Sequence, residues 1–206
     1  MDSLKQQMLK HNYFVGKIDP FILSPQIKQE MQIINKEFDE LPIDSYAPES
    51  GRYRRMLTGC INPKQNQVVF HNGLEKAGKK YFTYNQGKFN PEIKNLRYFE
   101  SVSQEFKATT FISKLLLTDL HITGYAGIVS EEIIPFEIQL IKFIVDQNRP
   151  IAKCSPPVIH QDGNKYAIAH LIKRENIDSA FNCIGNINCV NKDYTDVDKK
   201  DILAQF

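Results

Sequence analysis

The stretch PPVIHQDGNKYAIAHLIKREN, residues 156–176, decides how the chain is read. His160 and Asp162 stand with one residue between them, and Gly163 follows them. If VIHQD (158–162) is a strand, the two side chains leave the same face, because a strand repeats every second residue. At a rise of about 3.3 Å per residue their backbones lie roughly 6–7 Å apart, so an imidazole and a carboxylate can converge on one ion. Gly163 frees the backbone to bend just after the pair.

An imidazole with a carboxylate is a mixed nitrogen–oxygen donor set. Two histidines and one carboxylate on one face of an octahedron leave three positions open, the arrangement of non-haem Fe(II) oxygenases. His-x-Asp is a short motif, however, and a β-sandwich carrying an accidental pair would spell the same two residues. The setting discriminates further. The pair follows FEIQLIKFIVD (136–146), nearly continuous in β-branched and aromatic residues, which predicts a strand buried on both faces. Asn148-Arg149-Pro150 reads as a turn, and YAIAHLIKR (166–174), FNCIGNI (181–187) and DILAQF (201–206) as further strands.

Upstream, residues 2–10 read as a short polar helix and NYFVGKI (12–18) as a strand stopped at Asp19-Pro20. Ser24 is positioned to cap a helix with Pro25 in its first turn, running to about Glu40. Ile27, Met31, Ile34 and Phe38 give that helix one apolar stripe. RYRRMLT (52–58), QVVFH (67–71) and KYFT (80–83) predict strands, with turns at Asn72-Gly73 and Ala77-Gly78. A second helix is predicted over 102–118. Helices first and many short strands after indicate an α+β fold with a sandwich or barrel-like core.

The totals bound the rest. A chain of 206 residues predicts a single domain spanning 1–206, long enough to bury a real core. A net charge of +2, with no dominant Lys/Arg block, gives no ground for nucleic-acid binding. No apolar run reaches membrane-span length, and the first residues have no signal-peptide pattern, so the expectation is a cytoplasmic protein without a membrane partner. The four cysteines are too scattered for a disulfide scaffold, and Cys183 and Cys189 read as core thiols. Nothing in the sequence sets the oligomeric state.

With these residues in view, the chain resembles the bacterial Fe(II)/2-oxoglutarate dioxygenases that include the L-isoleucine hydroxylases and other free amino-acid hydroxylases. The likeness rests on EIQLIKFIVDQNRP, SPPVIHQDG and YAIAHLIKREN, which follow that family's long strand, turn, H-x-D-G and R-x-N-like turn. Arg52-Tyr53-Arg54 resembles its early R-x-R strand. Tyr81, Asn90 and Arg97 resemble its Tyr, Asn and Arg-aromatic segment, and KKDILAQF its closing strand. The resemblance implies a double-stranded β-helix, or jelly roll, with flanking N-terminal helices. It implies hydroxylation of a free L-amino acid or similar small molecule, with Fe(II) as cofactor and 2-oxoglutarate as co-substrate. It assigns His160 and Asp162 to the metal and catalysis, and Arg54, Tyr81 and Arg97 to the substrate.

Three departures shape that expectation. The family's Gly-Gly turn reads Asp178-Ser179-Ala180, and the place of its second iron histidine falls near Gly185, where no histidine stands. The C-terminal half is short for the strands such a core needs. The arginine that anchors the oxo-acid is replaced by Lys199 or Lys200, a point charge rather than a fork; Lys200 and Arg174 are the candidates. Of the other histidines, His170 reads as a core or lumen-facing residue, His121 as lying past a helix end and His71 as a turn residue. Two readings follow: an active hydroxylase, or a catalytically degenerate relative that binds a small molecule.

Overall fold

A computed structural model of the chain describes residues 2–17, 24–85, 96–125, 133–152, 158–177 and 182–206. The chain gathers into two compact units, Met1–Tyr84 with Arg97–Ala152, and Asn85–Leu96 with Lys153–Phe206. The architecture is mixed α and β, and every strand pair within its sheets is antiparallel.

The first unit is organised by one long strand, β1 (Arg52–Asn62). Helices α1 (Asp2–His11) and α2 (Pro25–Asp39) precede it. β2 (Gln67–Phe70), β3 (Leu74–Lys76), β4 (Lys79–Tyr84) and β5 (Arg97–Glu100) follow, then α3 (Gln104–Lys107), α4 (Thr110–Tyr125) and β6 (Ile134–Phe143). β1 is the centre of a β2-β1-β6 sheet, paired with β6 from Arg52↔Phe143 to Ile61↔Ile134. β3, β4 and β5 form a second sheet. Its hairpin turns at Ala77-Gly78, both with positive φ, which matches the twist of a two-residue hairpin.

Alternation along β1 divides its side chains between two partners. Arg55 and Leu57 face α2, whose Ile27 and Ile34 are buried and whose Glu37 meets the Arg55 guanidinium at 2.8 Å. Arg54 and Met56 face the other way, toward Tyr84 and Phe99 of the second sheet. Of the stripe read from the sequence of α2, Ile27 and Ile34 are buried and Met31 and Phe38 half-buried.

Four expectations change. Ser24 precedes α2, and Pro25 is in its first turn, but the Ser24 hydroxyl makes no cap bond. The helix expected over 102–118 breaks into α3 and α4. Ser103 caps α3 through Phe106 N–H at 3.0 Å, Thr109 Oγ1 donates to the Phe106 carbonyl at 2.7 Å, and the Glu30 carboxylate caps Thr110 and Phe111 N–H at 2.9 Å each. Those side chains offer the backbone a better set of partners than a continuous helix would. α4 then runs to Tyr125, so His121 lies inside it rather than beyond its end. β6 is not buried on both faces: only Leu140 is buried and Ile141 and Phe143 are half-exposed, because among the described residues β6 has one strand neighbour.

Among its described residues the second unit has little regular structure. Its strands β7 (Cys183–Gly185) and β8 (Ile202–Gln205) pair antiparallel with a register shift after Ile184. They are continued by Asn182 and Phe206, which exchange backbone bonds of 2.8 and 3.0 Å. Single 3₁₀ turns lie between them, and Cys189 is buried there. VIHQD and YAIAHLIKR, expected as strands, have no ladder partner among the described residues and are irregular, and so is NYFVGKI over residues 13–17. Ile168 and Leu171 are exposed, and His170 is half-buried beside them rather than set in a core. A strand pattern supplies alternation, but a strand exists only where a neighbour completes its hydrogen bonds.

Candidate functional site

His160 and Asp162 come together without the expected strand. Ile159 is clipped to the segment ahead of β8: its N–H donates to the Lys192 carbonyl at 3.0 Å and its carbonyl accepts Asn191 N–H at 2.7 Å. Asn191 takes a left-handed φ of 69°, a conformation that asparagine tolerates better than most residues. That clip holds the backbone next to His160. The imidazole is then oriented locally, with Nδ1 2.9 Å from the Val158 carbonyl. A carbonyl can only accept, so Nδ1 carries the proton and Nε2 is the atom left to act as a ligand. Nε2 lies 3.5 Å from Asp162 Oδ1, and both side chains are about one-third exposed, at 32% and 37%.

This geometry suits a divalent metal. Two donors, each about 2.1 Å from one ion at near right angles, stand about 3 Å apart, close to the separation seen. A backbone carbonyl holding the far nitrogen of a metal-binding histidine is the usual way its tautomer is set. The pair thus fits two places of an iron site. Among the described residues no group of three His, Cys, Asp or Glu side chains gathers around an ion. At Gly185 an added Cβ would meet Ile159 Cδ1 at 3.1 Å and Cys189 Cβ at 3.3 Å, so this position packs against the residue beside His160. Asp178-Ser179-Ala180 and Cys154 lie outside the described residues.

The two candidate cations of the second unit, Lys200 and Arg174, are at its surface. Lys200 sits in a 3₁₀ turn with its side chain 79% exposed and 3.3 Å from Asp198. Arg174 is exposed in the irregular segment, beside the Lys173–Glu175 pair.

Arg54, in the first unit, is in a different environment. Residues 42–44 run along the start of β1, with Asp44 N–H on the Arg52 carbonyl at 2.8 Å and Arg54 N–H on the Pro42 carbonyl at 2.9 Å. That pairing delivers Asp44 to both arginines. Arg52 Nε donates to Asp44 Oδ2 at 2.8 Å; its Nη2 is as near but lies outside hydrogen-bond alignment. Arg54 Nη1 is 3.6 Å from the same oxygen. Asp44, Arg52 and Arg54 are 1%, 3% and 5% exposed. Two buried cations therefore share one buried carboxylate.

The rest of the Arg54 surroundings is aromatic and amide. Its guanidinium stacks 4.1 Å from the Phe99 ring centre and 5.0 Å from that of Tyr84, and it donates to Gln139 Oε1. Its Nε is buried without a partner. Burial pushes the guanidinium below its ordinary pKa while Asp44 opposes the shift, and an arginine stays charged in either case. Arg97 joins the same aromatic row at one remove, 5.1 Å over Tyr46, whose ring meets Phe99 at 5.4 Å. Tyr81 does not. Phe82 and Tyr84 occupy the buried face of β4, so Tyr81 points to the other. Asn90 lies outside the described residues. Asp44, Tyr84, Phe99 and Gln139 were not read from the sequence. The usable signal was the alternation of Arg52 and Arg54 on the face that Met56 continues, since buried arginines require an acid.

Comparisons with known proteins bear on the family and the fold. Residues 35–195 match the model of a family described as 2OG-Fe dioxygenase. No curated protein matches the chain. Among solved structures, the chain is similar to the crystal structure of IDO from Bacillus thuringiensis, with a TM-score of 0.58 and 13% sequence identity. The likeness covers 79% of this chain and 65% of that one, so the chain spans under two thirds of that structure. At such identity it speaks to the fold alone.

Proposed function

The chain belongs to the 2OG-Fe dioxygenase family, and from that premise we propose that it is an Fe(II)/2-oxoglutarate-dependent hydroxylase of a free L-amino acid or similar small molecule. The single observation that carries the proposal is the approach of His160 Nε2 to Asp162 Oδ1 at 3.5 Å, with Nδ1 tied to the Val158 carbonyl. In this reading His160 and Asp162 hold the metal and are the catalytic pair. The bound iron supplies the oxidative decarboxylation of 2-oxoglutarate and the hydroxylation of a C–H bond. Lys200 and Arg174 offer the second unit's cations to the oxo-acid.

Arg54 clamps an anionic substrate group. Its fork is charged, desolvated and walled by the Phe99 and Tyr84 rings, which exclude water and strengthen its attraction for a carboxylate. Arg97 is a second cation of that row, and Tyr81 is left a lesser part by its face. The reading includes a double-stranded β-helix with a shortened C-terminal half, a single domain over 1–206, the L-isoleucine hydroxylase type, and a cytoplasmic setting.

The test is succinate release from 2-oxoglutarate, with added Fe(II) and a panel of free L-amino acids. One or more amino acids should stimulate release, and His160→Ala should abolish it. Failure of the parent protein to retain Fe(II) at micromolar concentration overturns the proposal. The degenerate relative is the second reading, favoured by the finding of only two converging donors among the described residues. Calorimetry separates the two: an amino-acid affinity unchanged by a chelator supports the metal-free binder, and one that falls supports the enzyme.

A further inference from the structure

β2 and the α3 region border an open cleft of about 460 Å³. His71, Asn72, Gln104 and Lys107 supply its polar lining, and none of the lining residues is acidic. Lys107 is the unusual member. It is only 8% exposed, and its Nζ stands 5.6 Å from the Phe82 ring centre. Among the described residues its ammonium forms no ion pair or hydrogen bond.

The charges nearby do not compensate it. Burial and the repulsion of Lys80 push Lys107 below the ordinary lysine pKa, and Glu37 opposes them weakly. The Glu37 carboxylate is already engaged, by Arg55 Nη1 at 2.8 Å and by Ser103 N–H at 3.2 Å. The stem is buried while the ammonium keeps solvent contact at the cleft, so a charged donor that no group among the described residues pairs is presented there. The cleft supplies the place. Around it His71, whose Nδ1 is 3.1 Å from Thr58 Oγ1, and the amides of Asn72 and Gln104 can all donate hydrogen bonds.

We infer that this cleft binds a small oxyanion, a carboxylate or a phosphate, with Lys107 as its charged anchor. The site is built within the first unit and makes no use of His160, Asp162 or Arg54. It stands whether or not the hydroxylase reading does.

The experiment uses the full chain carrying His160→Ala, which takes the iron site out of the measurement. It is titrated at low salt with inorganic phosphate in one calorimetric arm and succinate in the other. At least one arm should saturate at a single site, and which one does identifies the source of the oxyanion. Lys107→Met should weaken that binding by about tenfold or more, the loss expected for a hydrogen bond to a charged group. Lys107→Arg should keep it within about threefold, since the charge and a donor remain. Should the Met variant fail to fold, acetic anhydride labelling of the unmutated lysines gives the answer, with the anion expected to protect Lys107. The proposal is overturned by no saturable binding in either arm, by binding that survives Lys107→Met, or by labelling of Lys107 that the anion leaves unchanged.

Discussion

Asp44→Asn removes one charge and almost no volume, and it isolates what the shared carboxylate contributes. In the folded protein Asp44 Oδ2 receives Arg52 Nε at 2.8 Å and lies 3.6 Å from Arg54 Nη1, while Oδ1 accepts Tyr46 N–H at 3.0 Å. The side chains of the three residues are 0%, 4% and 5% exposed. Asparagine keeps the Tyr46 bond but leaves two buried guanidiniums without a counter-charge. Deleting one partner of a buried ion pair costs about 3–5 kcal/mol. Arg54 retains Gln139 and two aromatic rings, so its share is cushioned; Arg52 has no such support, and the expected loss is about 3–4 kcal/mol. Urea unfolding followed by far-ultraviolet circular dichroism reads this directly. With a slope of about 2 kcal/mol per molar, the midpoint should fall by about 1.5–2 M. Adding Arg52→Met should recover part of the loss, because one orphaned cation is gone. A midpoint shift below about 0.5 M would refute the argument, since the arginines would then be solvated by something other than Asp44.

Arg54→Leu should raise the KM for the stimulating amino acid about 30-fold or more with a smaller effect on kcat, as loss of a desolvated charged contact requires; in succinate-release kinetics, a KM within threefold of the parent removes Arg54 from substrate binding. Burial alone would raise the Glu30 carboxyl, but the Thr110 and Phe111 N–H groups outweigh it and hold the pKa below the ordinary value. The stability this brings is present above the unfolded carboxyl pKa of about 4.3 and is lost as pH falls through the folded one. Glu30→Gln should therefore melt below the parent at pH 7, by about 0.5–1 kcal/mol for a weakened helix cap, and the two should converge near pH 3. Equal melting at pH 7 would remove the cap from the argument. At Gly59 an added Cβ would lie 2.2 Å from the Val69 carbonyl oxygen, backbone that cannot swing aside. Gly59→Ala should lower the urea midpoint by the equivalent of about 1–3 kcal/mol, and an unchanged midpoint would show that β1 and β2 separate freely.

Much of the first unit was legible because its signals are local. The stripe of Ile27 and Ile34 repeats with the helical turn, RYRRMLT alternates with the strand period, and Ala77-Gly78 is a turn in any context. The break between α3 and α4 was not legible, because part of what caps Thr110 and Phe111 is the side chain of Glu30, some 80 residues away in the chain. YAIAHLIKR misled for the complementary reason. Its apolar pattern is that of a strand, but among the described residues no neighbouring backbone completes one.

The same division runs through the candidate sites. The sequence by itself determined that His160 and Asp162 stand two residues apart and, through the strand pattern of RYRRMLT, that Arg52 and Arg54 share a face, since a strand repeats every second residue. Only the tertiary structure decided that a backbone clip from residues 191–192, rather than a strand, holds the segment of His160. It alone set Arg54 against Asp44, Phe99 and Gln139 and left Lys107 buried beside an open cleft. Burial and charge balance are properties of chain segments that meet far from one another in sequence, and no local pattern carries them.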